Sequence, residues 1–207
     1  RTLSMLRLAG KASSRRRPVT STLGVMSELI LRPLEEVSES DLSALSDEAF
    51  GDEEPSNLLA EVLEAEAEAG KVRGRAELPG AFGLAAFRDN ALVGWTDGHR
   101  VGKNQFYMLN SGVAKSARRS GVYTQLVLAV LEHAQAQGYA TVKSLHVAAN
   151  SPVIIAKMRL GFFISGFEYS EVYGPLVQLK YLVGDARRSL YKARTTSLRP
   201  AESERSG

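Results

Sequence analysis

A short basic turn that leads into a helix is the segment of this sequence with the clearest chemical signal. It reads Arg118-Arg119-Ser120-Gly121-Val122-Tyr123-Thr124, and no acidic residue lies between Gly112 and Gln125. The first N–H groups of a helix have no partner within it, so a helix start attracts anions. Gly121 has no side chain that would keep a phosphate away from the backbone. The turn is therefore a candidate phosphate site, and a helix start with solvated arginines is the alternative explanation.

A second distinctive segment reads Asn150-Ser-Pro-Val-Ile-Ile-Ala-Lys-Met-Arg-Leu-Gly161-Phe162 and predicts a helix followed by a strand. Together the two segments resemble the GNAT superfamily of acyl-CoA N-acyltransferases. The cofactor loop of that family has the pattern Gln/Arg-x-x-Gly-x-Gly/Ala at a strand-to-helix junction. Tyr123 departs from the pattern, because it stands where the family has a small residue. The likeness extends from residue 26 to about residue 183.

The resemblance implies an α/β domain with a single mixed, mostly antiparallel sheet flanked by helices, in which two central strands splay apart. Those strands would be Gln105–Val113 and Thr141–Val147, and the pantetheine arm of acetyl-CoA would enter between them. Backbone N–H groups near Gly112 and Val113 would bind the arm and polarise the thioester carbonyl, while the basic turn would hold the phosphates. The implied reaction is direct transfer of the acetyl group to a primary amine of a small molecule or peptide, without a metal.

Candidate catalytic groups also follow from the resemblance. The usual general acid of the family is a tyrosine seven residues after the Asn of the second segment, and Lys157 stands there in this sequence. Lys157 could stabilise the departing thiolate, or its charge could reach solvent from the helix surface. His146 lies at the end of a splayed strand and could relay a proton from the amine, or it could be a packed strand histidine. Asn150 itself would contribute to the cofactor site.

The elements that must position these residues follow from periodicity and turn chemistry. Helical spacing and capping residues predict helices over residues 38–50, 55–69, 121–137 and 151–160. Apolar runs between turn residues predict strands over residues 29–34, 82–88, 91–96, 105–113, 141–147, 162–169 and 176–183. Asp89-Asn90 suits a tight hairpin because both residue types tolerate positive φ. A mixed sheet covered by helices buries this order of elements.

The two ends of the chain differ in charge from its middle. Residues 1–25 hold six basic and no acidic residues, residues 184–207 hold six basic and three acidic residues, and acidic residues outnumber basic ones between them. Because both ends lack apolar periodicity, we expect a disordered leader (1–25), one domain (26–183) and a disordered tail (184–207). The leader has the composition of an organelle transit peptide, but an artificial leader or sequence upstream of a start at Met26 also explains it.

Other classes of function find less support. The net charge of +3 belongs to the ends, so nucleic-acid binding through them is a minor alternative. The chain has no cysteine, no Gly-x-x-x-x-Gly-Lys-Ser/Thr loop and no apolar run of membrane-spanning length, and we expect a cytoplasmic protein that binds neither metal nor membrane. A non-catalytic acyl-CoA-binding sensor is the nearer alternative, suggested by Tyr123 and Lys157. A homodimer is one assembly that the sequence leaves open.

Overall fold

The computed structural model describes residues 28–50 and 78–196. The basic leader and the helix predicted over residues 55–69 lie outside the described residues. None of the helices in the described ranges is long and apolar enough to span a membrane.

The described elements follow the predicted order closely. The α-helices are α1 (Glu39–Phe50), α2 (Val122–Ala136), α3 (Ser151–Arg159) and α4 (Asp185–Thr196). The strands are β1 (Leu29–Pro33), β2 (Phe82–Arg88), β3 (Ala91–Val101), β4 (Gln105–Val113), β5 (Thr141–Val147), β6 (Phe163–Ser170) and β7 (Gly174–Leu182). The main difference among the strands is β3, which runs five residues past the predicted end at Thr96 because it stays paired with β4.

The strands form one sheet in the order β1-β2-β3-β4-β5-β7-β6. Neighbouring strands are antiparallel except β4 and β5, which are parallel. β4 and β5 pair only where Gln105 to Tyr107 lie opposite Thr141 to Lys143, and they separate beyond that point. β5 instead pairs with β7 along its whole length. The predicted mixed sheet with splayed central strands is confirmed.

A β-bulge in β4 lies next to the opening between β4 and β5. Asp97 of β3 pairs with Asn110, but the next residue of β3 pairs with Met108. Leu109 is therefore the extra residue, and it shifts the alternation of side chains along β4. Met108 and Ser111 consequently face α2, whereas Asn110 lies on the side of α1.

Helices cover the two faces of the sheet with separate apolar contacts. On one face, Val127 and Val130 of α2 pack with Phe106 in a fully buried cluster. On the other face, Phe50 of α1 meets Trp95 of β3 edge-on, with ring centroids 5.8 Å apart. The strands that border the opening between β4 and β5 are thus fixed by helices packed on both faces of the sheet.

The local turn chemistry agrees with the sequence. Asp89 and Asn90 have φ angles of 49° and 65°, as the tight hairpin requires. Ser38 caps α1, because its Oγ accepts a hydrogen bond from the Asp41 N–H at 3.1 Å. Gly138 has a φ of 70° just after the end of α2.

The C-terminal tail differs from its prediction. Residues 184–207 are predicted to be disordered, yet Asp185–Thr196 form α4. Tyr191 stacks on Phe163 of β6 with ring centroids 4.2 Å apart, and Arg188 donates a hydrogen bond to the Tyr181 hydroxyl at 2.9 Å. The prediction is wrong over these residues because aromatic and polar contacts, rather than a continuous apolar stripe, hold the helix on the sheet.

Candidate active site

The basic turn connects β4 to α2. After a short 3-10 helix (Lys115–Ala117), the chain adopts positive φ at Arg119 (62°) and at Gly121 (86°). Where residues of negative and positive φ follow each other, successive backbone N–H groups point to the same side. Such a group of N–H donors forms a concave site that binds anions. Gly121 is the N-cap of α2, and no side chain there accepts a hydrogen bond from the first helical N–H groups. The start of α2 can therefore donate these N–H groups to a phosphate.

The surface of the turn is open at Gly121. A Cβ placed there would meet no atom within 4 Å. Two hydrogen bonds hold the Ser120 side chain in place. Its Oγ donates to the Ala117 carbonyl at 2.6 Å and accepts from Arg88 at 3.1 Å. Arg88 ends β2 and lines a cavity of about 330 Å³ beside the turn. No motif in the sequence includes Arg88, and 32 residues separate it from Ser120, so this cation could not be predicted.

The Arg118 side chain binds backbone carbonyls in this structure. Its Nη2 donates to the Ala49 carbonyl at 3.0 Å, and its Nε donates to the Val113 carbonyl at 3.4 Å. Arg118 therefore ties the last turn of α1 to the end of β4. Arg119 is exposed beside it. A phosphate role for either guanidinium stays a prediction, whereas the backbone of the turn is already shaped for an anion.

Val122, Tyr123 and Thr124 form the first turn of α2. Val122 is buried, and the Tyr123 ring packs into the core, away from the outer surface of the turn. The Tyr123 hydroxyl is buried close to the Ser111 hydroxyl. Burial raises the pKa of Tyr123, and the nearby Ser111 hydroxyl reduces that shift. The large residue at this position therefore leaves the outer surface of the turn unobstructed.

Gly112 and Val113 lie at the end of β4, beyond the part of the strand that pairs with β5. That edge of β4 faces the opening and can pair with an extended ligand as an added strand would. Gly112 also has a packing role, because a Cβ there would overlap the Trp95 ring. Its lack of a side chain is thus explained without a ligand.

Lys157 is fully buried at the point where β4 and β5 part. Its Nζ donates to Ser144 Oγ at 2.8 Å, lies 3.4 Å from Met108 Sδ and lies 5.1 Å from the centroid of the Phe162 ring. Met108 and Ser144 are the first residues of their strands beyond the paired segment. Burial lowers the pKa of Lys157 from 10.5 to about 7. The alternative that its charge reaches solvent from the helix surface is therefore wrong.

Lys157 lies on the inner face of α3, between Ile154 and Leu160, which pack against the core. Ile155 and Met158 are 49% and 47% exposed, whereas Lys157 is 0% exposed. Burying an amine is unfavourable unless its neighbours compensate, and a buried titratable group in a cleft is typical of functional sites. Lys157 therefore makes the apex of the opening, where β4 and β5 separate, the best candidate for the position of the reaction.

His146 contacts the same serine as Lys157. Its Nε2 lies 3.0 Å from Ser144 Oγ, and in the sheet it pairs with Val177 of β7. Burial, and then the positive charge of Lys157, lower the pKa of His146 to about 3. The structure thus brings both catalytic candidates together through Ser144. Sequence reasoning missed Ser144, because an isolated serine in a strand carries no signal.

Asn150 has a structural role at the start of α3. Its Oδ1 accepts a hydrogen bond from the Val153 N–H at 3.4 Å, as an N-cap does. The residue is exposed, so a contact with the cofactor stays a prediction.

The two remaining histidines lie among aromatic rings. His133 stacks on Phe82 with ring centroids 3.7 Å apart, and His99 meets Tyr107 edge-on at 5.8 Å. Within residues 28–50 and 78–196, no three His, Asp or Glu side chains are grouped as metal ligands. Packing therefore accounts for both histidines.

A second cavity lies on the face of the sheet that α1 covers. It has a volume of about 520 Å³, and its lining includes Glu39, Asp47, Phe50, Trp95 and Asn110. Asn110 directly follows the bulge in β4, so this cavity adjoins the opening from the side opposite α2. Its carboxylates and aromatic rings suit a cationic group.

Comparison with known structures supports the fold. The ribosomal-protein-S18-alanine N-acetyltransferase from Escherichia coli is 14% identical, with a TM-score of 0.58 over 76% of this chain and 96% of that chain. Ard1 from Thermoplasma volcanium is 18% identical, with a TM-score of 0.56 over 76% and 99% of the two chains. A Bacillus subtilis acetyltransferase solved in complex with CoA is 16% identical, with a TM-score of 0.56 over 76% and 100%. No curated protein sequence matches the chain.

The sequence itself carries the decisive likeness. The model of the Acetyltransferase (GNAT) family matches residues 39–162, which is more than half of the 207-residue chain. The matched region includes the basic turn, the splayed strands and the helix that carries Lys157. Because this match covers more than half of the chain and the fold agrees with it, the chain belongs to the acetyltransferase (GNAT) family.

Proposed function

We propose that this acetyltransferase moves the acetyl group of acetyl-CoA to a primary amine by direct attack of the amine on the thioester. Acyl transfer is the general reaction of the family. The observation that carries the finer proposal is the opening between β4 and β5, which runs from the uncapped start of α2 to the buried Lys157.

The cofactor site extends along one edge of β4. The N–H groups at the start of α2 would bind the phosphates, and each favourable contact with the helix dipole contributes roughly 0.3–1 kcal/mol. The strand edge at Gly112 and Val113 would bind the amide groups of the pantetheine arm. Met108 of β4 lies at the apex of the opening beside Lys157, and β4 continues from there to the basic turn. An arm held at the turn and extended back along β4 therefore points its sulfur towards Lys157.

The reacting groups would meet at this apex. Backbone N–H groups of β4 would polarise the thioester carbonyl, and the charge of Lys157 would stabilise the thiolate that leaves. His146 would accept a proton from the amine. No side chain forms a covalent intermediate in this scheme, because the amine attacks the carbonyl carbon itself.

The acceptor would approach through the cavity beside α1. A primary amine is a cation at neutral pH, and Glu39 and Asp47 would attract it electrostatically. The Trp95 ring, only 2% exposed, would offer an apolar wall at the base of the cavity. These features favour a small molecule or peptide with an accessible amino group.

A mass-spectrometric screen tests the proposal. The protein would be incubated with acetyl-CoA and a panel of polyamines, arylalkylamines, amino acids and peptides with free N-termini. We expect at least one amine to gain an acetyl group together with release of free CoA. Lys157→Met, which keeps a long unbranched side chain without the charge, is the matched variant and should turn over more slowly. Tight CoA binding without turnover of any amine would instead favour a non-catalytic acyl-CoA-binding module.

A further inference from the structure

We propose that Ser144 links Lys157 to His146 in a proton relay that returns the proton lost by the acceptor amine to the thiolate sulfur. This inference rests on the acetyl transfer proposed above and adds a positioning residue that connects its two ends.

The geometry of the three side chains supports a continuous hydrogen-bonded chain. Ser144 Oγ lies 2.8 Å from Lys157 Nζ and 3.0 Å from His146 Nε2. Ser144 and His146 are two residues apart on β5, so both side chains lie on the same face of the sheet. Ser144 is 1% exposed and Lys157 is 0% exposed, which keeps bulk water from interrupting the contact between them.

Among the residues that the structure describes, the side chains in direct contact with Lys157 do not titrate, and His146 is the titratable group that Ser144 connects to it. Met108 comes from β4, Ser144 from β5 and Phe162 from the residue before β6, and all three side chains are uncharged. The positive charge of Lys157 contributes, after burial, to the lowered pKa of His146. A change in the protonation of Lys157 therefore alters the basicity of His146.

The transfer conserves atoms and protons. The amine nitrogen forms a bond to the carbonyl carbon, and the C–S bond breaks with its electron pair on sulfur. An N–H of the Lys157 ammonium gives its proton to the thiolate. Nδ1 of neutral His146 takes the proton from the new amide nitrogen. The Nε2 proton then passes to Ser144 Oγ as the Ser144 hydroxyl proton passes to Lys157 Nζ, which restores the ammonium.

The lowered pKa values of Lys157 and His146 determine the sequence of these proton transfers. While Lys157 is charged, its field disfavours a second positive charge on His146. Once Lys157 has given its proton to sulfur, that repulsion disappears and only burial still lowers the pKa of His146. Neutral Lys157 is then the stronger base of the two, so it receives the relayed proton. A lysine with a pKa near the working pH is also an effective acid for a thiolate, whose reference pKa is about 8.5. The relay thus couples departure of the thiolate to deprotonation of the amide.

Ser144→Ala tests the link without removing either titratable group. With the fastest amine from the panel, we expect kcat to fall about 10- to 100-fold, within the range of general acid–base catalysis, with KM for acetyl-CoA unchanged. Ser144→Thr restores a hydroxyl and should recover part of the rate. Ser165→Ala is the matched control, because Ser165 on β6 is also a strand serine whose hydroxyl has a side-chain partner: its Oγ accepts a hydrogen bond from Gln178 at 2.8 Å. It should keep the wild-type kcat.

Double substitution separates a relay from two independent groups. If Ser144 and His146 act in one chain, Ser144→Ala/His146→Gln should be slower than the slower single variant by no more than about 2-fold. The relay would be overturned if the fold-decrease in kcat of the double variant equalled the product of the two single fold-decreases, or if folded Ser144→Ala kept the wild-type kcat. Neither result would contradict the proposed acetyl transfer. Absence of turnover with every panel amine would overturn both proposals, so the two failures are distinguishable.

Discussion

Replacing Gly121 by glutamate is the most informative perturbation of the proposed phosphate site. The side chain would place a negative charge at the start of α2, where a Cβ now meets no atom within 4 Å. It would also cap the N–H groups that the phosphates need. Losing two charge-assisted hydrogen bonds of about 1.5–3 kcal/mol each would weaken CoA binding by about 3–6 kcal/mol, or roughly 10²- to 10⁴-fold in Kd.

The structure offers a matched control at the other end of the same helix. Gly138 has a φ of 70°, Gly121 has a φ of 86°, and neither has an atom within 4 Å of a built Cβ. Gly138→Glu therefore introduces the same charge and a similar backbone strain of about 1–2 kcal/mol, away from the phosphates.

The assay is calorimetric titration with CoA, accompanied by thermal unfolding of each variant. We expect Gly138→Glu to bind CoA like the wild type and Gly121→Glu to bind it far more weakly. If folded Gly121→Glu retained the wild-type Kd, the reasoning about the start of α2 would be refuted, and the phosphates would have to bind elsewhere.

Three further predictions concern stability, measured by urea unfolding. Because burial lowers the pKa of Lys157 to about 7, the unfolded state binds more protons above that pH, and stability from this group rises with pH. The stability advantage of Lys157→Met over the wild type should shrink by about 2–3 kcal/mol from pH 7 to pH 9, and a constant difference would contradict the burial argument. Gly112→Ala should destabilise by about 1–3 kcal/mol by overlap with the Trp95 ring, and an unchanged midpoint would contradict it. Tyr191→Ala should cost about 0.5–1.5 kcal/mol by losing its stacking on Phe163, and no change would mean that α4 is held by other contacts.

The parts of the fold with local signals could be predicted from the sequence. Asp89-Asn90 specified a hairpin because both residues adopt positive φ. Ser38 marked the start of α1 because its hydroxyl accepts the Asp41 N–H. The loop around Gly121 could be placed between a strand and a helix, since glycine and the absence of acids are visible in the sequence alone.

Contacts between distant segments could not be predicted in this way. The inward position of Lys157 is hidden, because apolar residues occur on both sides of this helix: Ile154 packs inward, whereas Ile155 and Met158 are exposed. The contact of Arg88 with Ser120 joins residues 32 positions apart. α4 escaped prediction because it is held largely by the stacking of Tyr191 and by hydrogen bonds of Arg188, neither of which depends on helical periodicity.

A crystal structure of the protein with CoA would show where the cofactor binds. We expect the phosphates to accept hydrogen bonds from the N–H groups at the start of α2 and the pantetheine arm to lie along β4 in the opening. We also expect the sulfur to lie within hydrogen-bonding reach of Lys157 Nζ. CoA with its phosphates away from Gly121, or with its sulfur outside the opening between β4 and β5, would contradict the proposed mode of cofactor binding.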